Sequence, residues 1–142
     1  MSDEKLNKLQ VMAKVYQHPK LKYLPWFVRP KYMMDKNKVL STSQNPNYDP
    51  GSLHIPVEEF QYFTPTMVQY WTYKKDNFDK ILLFKLGRFY EMFYDDAIAL
   101  NIMMDLNWMG GKYKVHVGFP ENMLYKVSAN LVNRGFTVAV VD

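Results

Sequence analysis

Phe89 and Glu91 are the side chains of this sequence whose types and spacing could do chemistry, a ring and a carboxylate two residues apart. In an extended strand, residues i and i+2 leave the same face, so both would lie together with Tyr90 on the other side. On an exposed face, such a pair offers an apolar wedge beside a hydrogen-bond acceptor. An apolar wedge can enter the minor groove of DNA, unstack a base step and kink the duplex.

The plainer interpretation places Phe89 in the core and leaves Glu91 as a solvated strand residue. A carboxylate that shares a face with a ring is less natural in a core than at an exposed edge. If the ring is exposed, wedging is easiest where stacking is weak, so deformability of the duplex becomes selectivity. The residues alone leave both interpretations open.

The composition favours a single domain of ordinary size, with a tail, among the 142 residues. The sequence has no cysteine, which excludes disulfides and thiolate metal sites and fits a cytosolic or nuclear protein. No apolar run approaches the ~20 residues that span a bilayer, so we expect no membrane partner.

Residues 1–40 carry nine Lys and Arg against three Asp and Glu, and residues 41–142 carry nine against eleven. The net charge of +4 therefore comes from an N-terminal arm, whereas a protein that binds mainly phosphates would carry it on the folded domain.

The N-terminal third is expected to hold one short helix followed by an extended connector. Apolar residues at helical spacing predict a helix over residues 5–17, with the stripe Leu6, Leu9, Met12, Ala13 and Tyr16. Six prolines punctuate residues 19–56, which predicts an irregular segment strapped to the surface. We therefore divide the chain into a basic helix or tail at 1–18, a Pro-rich connector at 19–62 and an α/β domain at 63–142.

The α/β domain is expected to alternate helices and strands. Thr64-Pro65 predicts a helix start, and Lys74-Lys75 suits its last turn. Residues 80–94 are β-rich with a bulge or bend at Gly87, and Asp95 or Asp96 would cap a second helix ending near residue 104.

The remainder predicts a hairpin, a helix and a last strand. Strands at 105–109 and 112–119 would flank Gly110-Gly111, and a third helix over 121–133 would end before Gly135. The apolar run at 136–141 is typical of a strand covered on both faces. The predicted fold class is therefore α/β, a mixed sheet with packed helices, preceded by an extended N-terminal arm.

Enzyme motifs are absent from the sequence. It has neither a GxxxxGK[ST] loop nor a GxSxG elbow, and His18, His54 and His116 show no metal-ligand spacing, so a surface or satisfied histidine is the better interpretation. Helix capping accounts for Asp95 and Asp96, although a small magnesium nuclease would need both to converge with Glu91. We expect no catalytic residue, metal or cofactor in this chain.

Several motifs occur in the order found in a known family. They are Phe63-Thr64-Pro65-Thr66-Met67, Leu86-Gly87-Arg88-Phe89-Tyr90-Glu91-Met92-Phe93-Tyr94-Asp95-Asp96-Ala97, Val117-Gly118-Phe119-Pro120-Glu121 and Gly135-Phe136-Thr137-Val138-Ala139-Val140-Val141. This pattern resembles the N-terminal mismatch-recognition domain, domain I, of the MutS family. Residues 45–56 are similar to the connector before that domain in the eukaryotic MutS homologue six, so the resemblance covers residues 24–142.

The resemblance implies roles for individual residues. Phe89 would stack on a mispaired base from the minor groove, and Glu91 would hydrogen-bond that base. Supporting contacts around the kinked site would come from Lys85, Leu86, Arg88 and Met109. Arg88 stands where the family has Lys or Asp, and Asp142 stands where it continues with Glu-Gln.

The resemblance also implies a nuclear sensor domain of a mismatch repair protein. It would bind double-stranded DNA with mispairs or small loops. Its parent would pair with a second MutS homologue and bind ATP and magnesium through domains outside this chain. The alternative is a protein-interaction module of the same fold that does not contact DNA.

Overall fold

The computed structural model describes residues 5–111 and 114–142, which divide into two compact units. One unit combines residues 5–24 with Ile81–Asp142, and the other is Pro25–Lys80. The domain limits predicted from the sequence, after residues 18 and 62, fall elsewhere and stay predictions. Phe89 and Glu91 both belong to the first unit, which contains the sheet.

The sheet is mixed and has four strands, which confirms the predicted fold class. They are β1 (Ile81–Leu86), β2 (Phe89–Phe93), β3 (His116–Pro120) and β4 (Val138–Val141), in the order β3-β2-β1-β4. Strand β2 pairs antiparallel with both β1 and β3, and β4 pairs parallel with β1. The strand that carries Phe89 and Glu91 therefore lies inside the sheet, with a neighbour on each side.

A two-residue turn separates β1 from β2. The sequence predicted a bend at Gly87 inside one β-rich segment, and the structure places Gly87 and Arg88 as the loop of a hairpin that pairs Leu86 with Phe89. Gly87 has a φ of 62°, and a positive φ at the first loop residue is what tight hairpin turns require. The bend is therefore a complete reversal of the chain, which adds one strand to the predicted order.

The described residues form four α-helices, which are α1 (Lys8–Val15), α2 (Pro65–Lys74), α3 (Tyr94–Met104) and α4 (Leu124–Asn133). The predicted N-terminal helix is present, but its predicted stripe is wrong in phase. Val11 and Val15 are the fully buried residues, where α1 packs on α3, and Leu9 is 82% exposed. A capping box between Asn7 and Gln10 begins this helix.

Asp95 and Asp96 do not cap α3, contrary to the prediction. Phe93 is the N-cap residue, and both carboxylates lie buried in the first turn, where the helix dipole favours negative charge. Asp96 Oδ2 accepts a hydrogen bond from the Leu82 N–H at 3.1 Å, which ties α3 to β1. The Asp96 carboxylate therefore joins the helix to the sheet rather than begins the helix.

Three predicted strands differ in the structure. Residues 105–109 are a loop, because Asp105 ends α3 in a left-handed conformation with a φ of 53°, and the Met109 N–H donates to the His116 carbonyl at 2.8 Å. The following strand begins at His116; Lys112 and Tyr113, at the start of its predicted range, lie outside the described residues. The last strand is an edge strand with Val140 43% exposed, so the prediction that both its faces are covered was wrong.

The second unit is built around Trp71 of α2. The Trp71 ring packs edge-on against Phe27 at 5.2 Å and against Tyr70 at 5.1 Å, and all three are buried. Thr64 caps α2 by accepting from the Met67 N–H at 3.3 Å, as the sequence predicted. The sequence suggested an extended connector over residues 19–62; residues 25–62 of that range belong to the unit Pro25–Lys80, which has a core of its own and short 3₁₀ helices.

Candidate nucleic-acid interface

Phe89, Tyr90 and Glu91 alternate across β2. The Phe89 ring is 43% exposed and Tyr90 is 4% exposed. Glu91 is partly exposed on the same face as Phe89, and Phe93, further along that face, is buried. This face of the strand is therefore exposed to solvent near the turn and buried near α3, and the Phe89 ring lies at its exposed end.

Apolar residues lie on both sides of Phe89 in the sheet. Leu86 on β1 and Pro120 on β3 lie directly opposite Phe89 on its two sides. Residues directly opposite one another in antiparallel strands project from the same face. The tip of the sheet consequently presents the row Leu86–Phe89–Pro120, with the ring at its centre.

A glycine makes room beside Glu91. Gly118 lies directly opposite Glu91, and a β-carbon at Gly118 would lie 3.1 Å from Met109 Sδ and 3.3 Å from Glu91 Cγ. The Met109 side chain therefore reaches over β3 to the space next to the carboxylate. Met109 comes from the loop after α3, so its place beside Glu91 is a tertiary effect.

His116 contacts the carboxylate directly. Its Nε2 is bonded to Glu91 Oε1, and its ring stacks on Phe93 with 4.8 Å between centroids and 16° between planes. Sequence reasoning treated His116 as a surface or satisfied histidine and did not connect it with Glu91. The pattern that could have found it is the alternation along 112–119, which places His116 and Gly118 on one face.

The remaining predicted residues take different positions. Lys85 lies opposite Tyr90, on the face away from Phe89, and its Nζ is 3.1 Å from Glu121 Oε2. Arg88 is the exposed second residue of the turn, and its carbonyl accepts from the Glu121 N–H at 2.8 Å. The structure thus brings Leu86, Met109 and the Phe89/Glu91 pair together, with Arg88 at the adjacent tip and Lys85 behind the sheet.

Tyr90 is fixed from behind the sheet. Its hydroxyl donates to Asp142 Oδ1 at 2.6 Å, and this hydrogen bond, together with burial, raises the pKa of Tyr90 to about 12. The Tyr90 ring also stacks on Phe119 of β3, 5.7 Å away. A residue held in this way keeps its two neighbours, Phe89 and Glu91, turned to the opposite face.

Basic residues of the N-terminal segment lie beside the loop that carries Met109. Lys20 Nζ lies 4.6 Å from the centre of the Trp108 ring and donates to the Lys114 carbonyl at 3.0 Å. The His18 ring lies 5.8 Å from the Trp108 ring. Part of the basic arm therefore packs within the first unit.

The described residues contain no group of three or more His, Cys, Asp or Glu placed to hold a metal ion. The convergence of Asp95, Asp96 and Glu91 that a nuclease would need is therefore not found among them. In this same part of the chain, no helix has the length and apolar character to cross a membrane.

Comparisons with known proteins identify the family to which the motifs belong. The family described as MutS domain I matches residues 64–142. The "Probable DNA mismatch repair protein Msh6" of Drosophila melanogaster is 37% identical over 128 residues, which are 90% of this chain and 10% of that protein. The "DNA mismatch repair protein Msh6" of Gallus gallus is 37% identical over 98 residues, 69% of this chain and 7% of that protein. The "DNA mismatch repair protein MutS" of Acholeplasma laidlawii is 33% identical over 89 residues, 61% of this chain and 11% of that protein. The chain thus spans about a tenth of the length of the curated relatives it matches.

Proposed function

Because this chain belongs to the MutS family and carries its domain I in the Msh6 type, we propose that it is a sensor module for mismatched DNA. It binds duplex DNA that contains mispairs or small loops, and the binding involves no catalytic step. The observation that best supports this role is the half-exposed Phe89 ring at the tip of β2, with Glu91 on the same face.

Phe89 acts as the wedge. Its ring enters the minor groove, unstacks the mispaired step and stacks on one of the mispaired bases. The apolar residues Leu86 and Pro120 lie directly opposite Phe89 on the two neighbouring strands. A sound step resists this deformation more than a poorly paired one, so the unstacking cost itself discriminates between them.

Glu91 supplies the second part of the discrimination. A carboxylate that faces DNA is repelled by phosphates, which weakens binding to matched duplex. A mispaired base exposes an N–H group that can donate a hydrogen bond to the carboxylate. Hydrogen bonds to charged groups contribute about 1.5–3 kcal/mol. The acid therefore penalises sound duplex and favours a base that has lost its partner.

The wider setting follows from the family. In a parent of the relatives' length, ATP and magnesium are bound by other domains, and a second MutS homologue completes a heterodimer in the nucleus. Arg88 at the turn contributes a phosphate or groove contact, since guanidinium is well suited to both. Strong clamping of the duplex comes from the rest of such a parent.

Fluorescence anisotropy with a G·T heteroduplex and its matched homoduplex tests the proposal on the 142-residue chain. We expect weak binding with a preference for the mispair, and Phe89→Ala should remove the preference, a loss of about 1–3 kcal/mol for one stacked base. Tyr125→Ala is the matched control, because Tyr125 is an exposed aromatic residue of the same unit, on α4. Equal binding of both duplexes by wild type and Phe89→Ala would favour the alternative, a protein-docking module.

A further inference from the structure

We propose that His116 is a positioning residue for Glu91, holding one carboxylate oxygen so that the other is presented to the mispaired base. The inference rests on the proposed function and assigns a part in it to a residue outside the Phe-x-Glu pair. It is carried by the contact between His116 Nε2 and Glu91 Oε1 on the face that bears Phe89.

The surroundings of His116 fix its ring. It stacks nearly parallel on Phe93, which is itself buried, and its backbone carbonyl accepts from the Met109 N–H. Its side chain retains 23% exposure and that of Glu91 retains 15%. The imidazole is thus held by its packing on Phe93, which limits the directions from which it can approach Glu91.

The register explains why the two side chains meet. Glu91 is directly opposite Gly118, and His116 is the diagonal neighbour, opposite Phe93. Diagonal neighbours across antiparallel strands are within reach of long side chains. Because Gly118 has no side chain, nothing on β3 stands between the carboxylate and the imidazole.

The contact leaves half of the carboxylate available. Within residues 5–111 and 114–142, Glu91 Oε1 is engaged by His116, and Oε2 has no hydrogen-bond partner. An ionised carboxylate has acceptor positions on both oxygens, so Oε2 can still accept from a base N–H. Fixing the side chain beforehand lowers the ordering cost when the base arrives, as in other preorganised sites.

A double-mutant cycle on the mispair preference tests the proposal. His116→Leu removes the donor and keeps an apolar side chain against Phe93, whereas His116→Gln keeps a donor. We expect His116→Leu to lower the heteroduplex-to-homoduplex affinity ratio about two- to tenfold, the range of one net hydrogen bond, and His116→Gln to restore most of it. In a Glu91→Ala background, adding His116→Leu should change nothing, because no carboxylate remains to be positioned.

The carboxyl carbon NMR signal of Glu91 in the DNA-free chain reports the contact with His116 independently of mispair binding. We expect the Glu91 signal to move in His116→Leu and to stay near its wild-type position in His116→Gln. The positioning role alone would be overturned if His116→Leu kept the wild-type mispair preference. It would also be overturned if His116→Leu lowered the affinity ratio equally with and without the Glu91 carboxylate. Absence of any mispair preference in wild type, with the NMR response intact, would overturn the proposed function and with it this role.

Discussion

Leu86 and Phe89 lie directly opposite each other across the turn formed by Gly87 and Arg88. Because side chains alternate along a strand, this pairing also decides that Phe89 and Glu91 share one face while Tyr90 takes the other. A register slip by one residue would bury the ring and expose the tyrosine. The wedge proposed for Phe89 would therefore depend on a turn whose first residue has a φ of 62°.

Gly87→Ala should destabilise the first unit by about 1–2 kcal/mol, because an alanine side chain is strained at positive φ. Among the described residues, apart from Gly87 itself and its two chain neighbours, no atom lies within 4 Å of where a β-carbon at Gly87 would be, so the cost is conformational rather than steric. Gly111→Ala is the control, since that position is equally open and has an ordinary φ. Urea unfolding compares them, and equal losses for the two variants would contradict the role of the turn.

Gly118→Ala should disturb the site itself. Its methyl group would lie 3.1 Å from both Met109 Sδ and the Tyr90 carbonyl oxygen, and overpacking of this kind costs about 1–3 kcal/mol. Since Glu91 Cγ is 3.3 Å from the same point, we also expect a lower mispair preference by anisotropy. Gly118→Ala should cost less stability in a Met109→Ala background than in wild type, and an equal cost in both backgrounds would mean that the sulfur does not contribute to the overpacking.

Asp35 should make the stability of the second unit depend on pH. Burial opposes its ionisation, but hydrogen bonds from the N–H groups of Asp49, Val39 and Asn37, aided by Lys36, outweigh burial and lower the pKa of Asp35 below its ordinary 3.8. A depressed folded-state pKa stabilises the fold above the unfolded value, and this contribution is lost as pH falls through the folded pKa.

The unfolding free energies of wild type and Asp35→Asn should therefore differ most near neutral pH. We expect the difference to narrow as pH falls below about 4, where the carboxyl group of the unfolded chain is already protonated. Chemical denaturation at a series of pH values gives both curves. A difference that stays constant into strong acid would show that the ionised form of Asp35 contributes no stability.

Arg88→Gln should weaken binding to heteroduplex and homoduplex by the same factor. Arg88 is exposed at the turn, next to Phe89, and a phosphate contact carries no information on base pairing. Loss of one such contact lowers the slope of log affinity against log salt by about 1. Anisotropy titrations at several salt concentrations measure both quantities, and a loss confined to the heteroduplex would place Arg88 in mispair discrimination instead.

Local patterns in the sequence were sufficient to predict part of this site. The period of two placed Phe89 and Glu91 on one face, and Gly87 marked the point where the chain bends. Thr64-Pro65 was enough to locate the start of α2, because capping is decided by a few neighbouring residues.

The features that the sequence did not predict depend on contacts between distant segments. His116 meets Glu91 only when β3 pairs with β2 in one register, which no local pattern specifies. Asp96 was predicted to be a helix cap from its local sequence. Its actual hydrogen bond, accepted from the Leu82 N–H, forms only when α3 lies against β1, and no local pattern indicates that. The apolar run ending at Val141 suggested a central strand, yet its place at the sheet edge is set by strand order.

The most direct test of the wedge is the fluorescence of 2-aminopurine placed next to a G·T mispair, because this base brightens when it is unstacked. With saturating wild-type chain, we predict a clear increase at the mispair and little change in the matched duplex. Phe89→Ala at concentrations that saturate the same duplex should give no increase. An increase as large with Phe89→Ala as with wild type would contradict the account, since the step would then open without the ring.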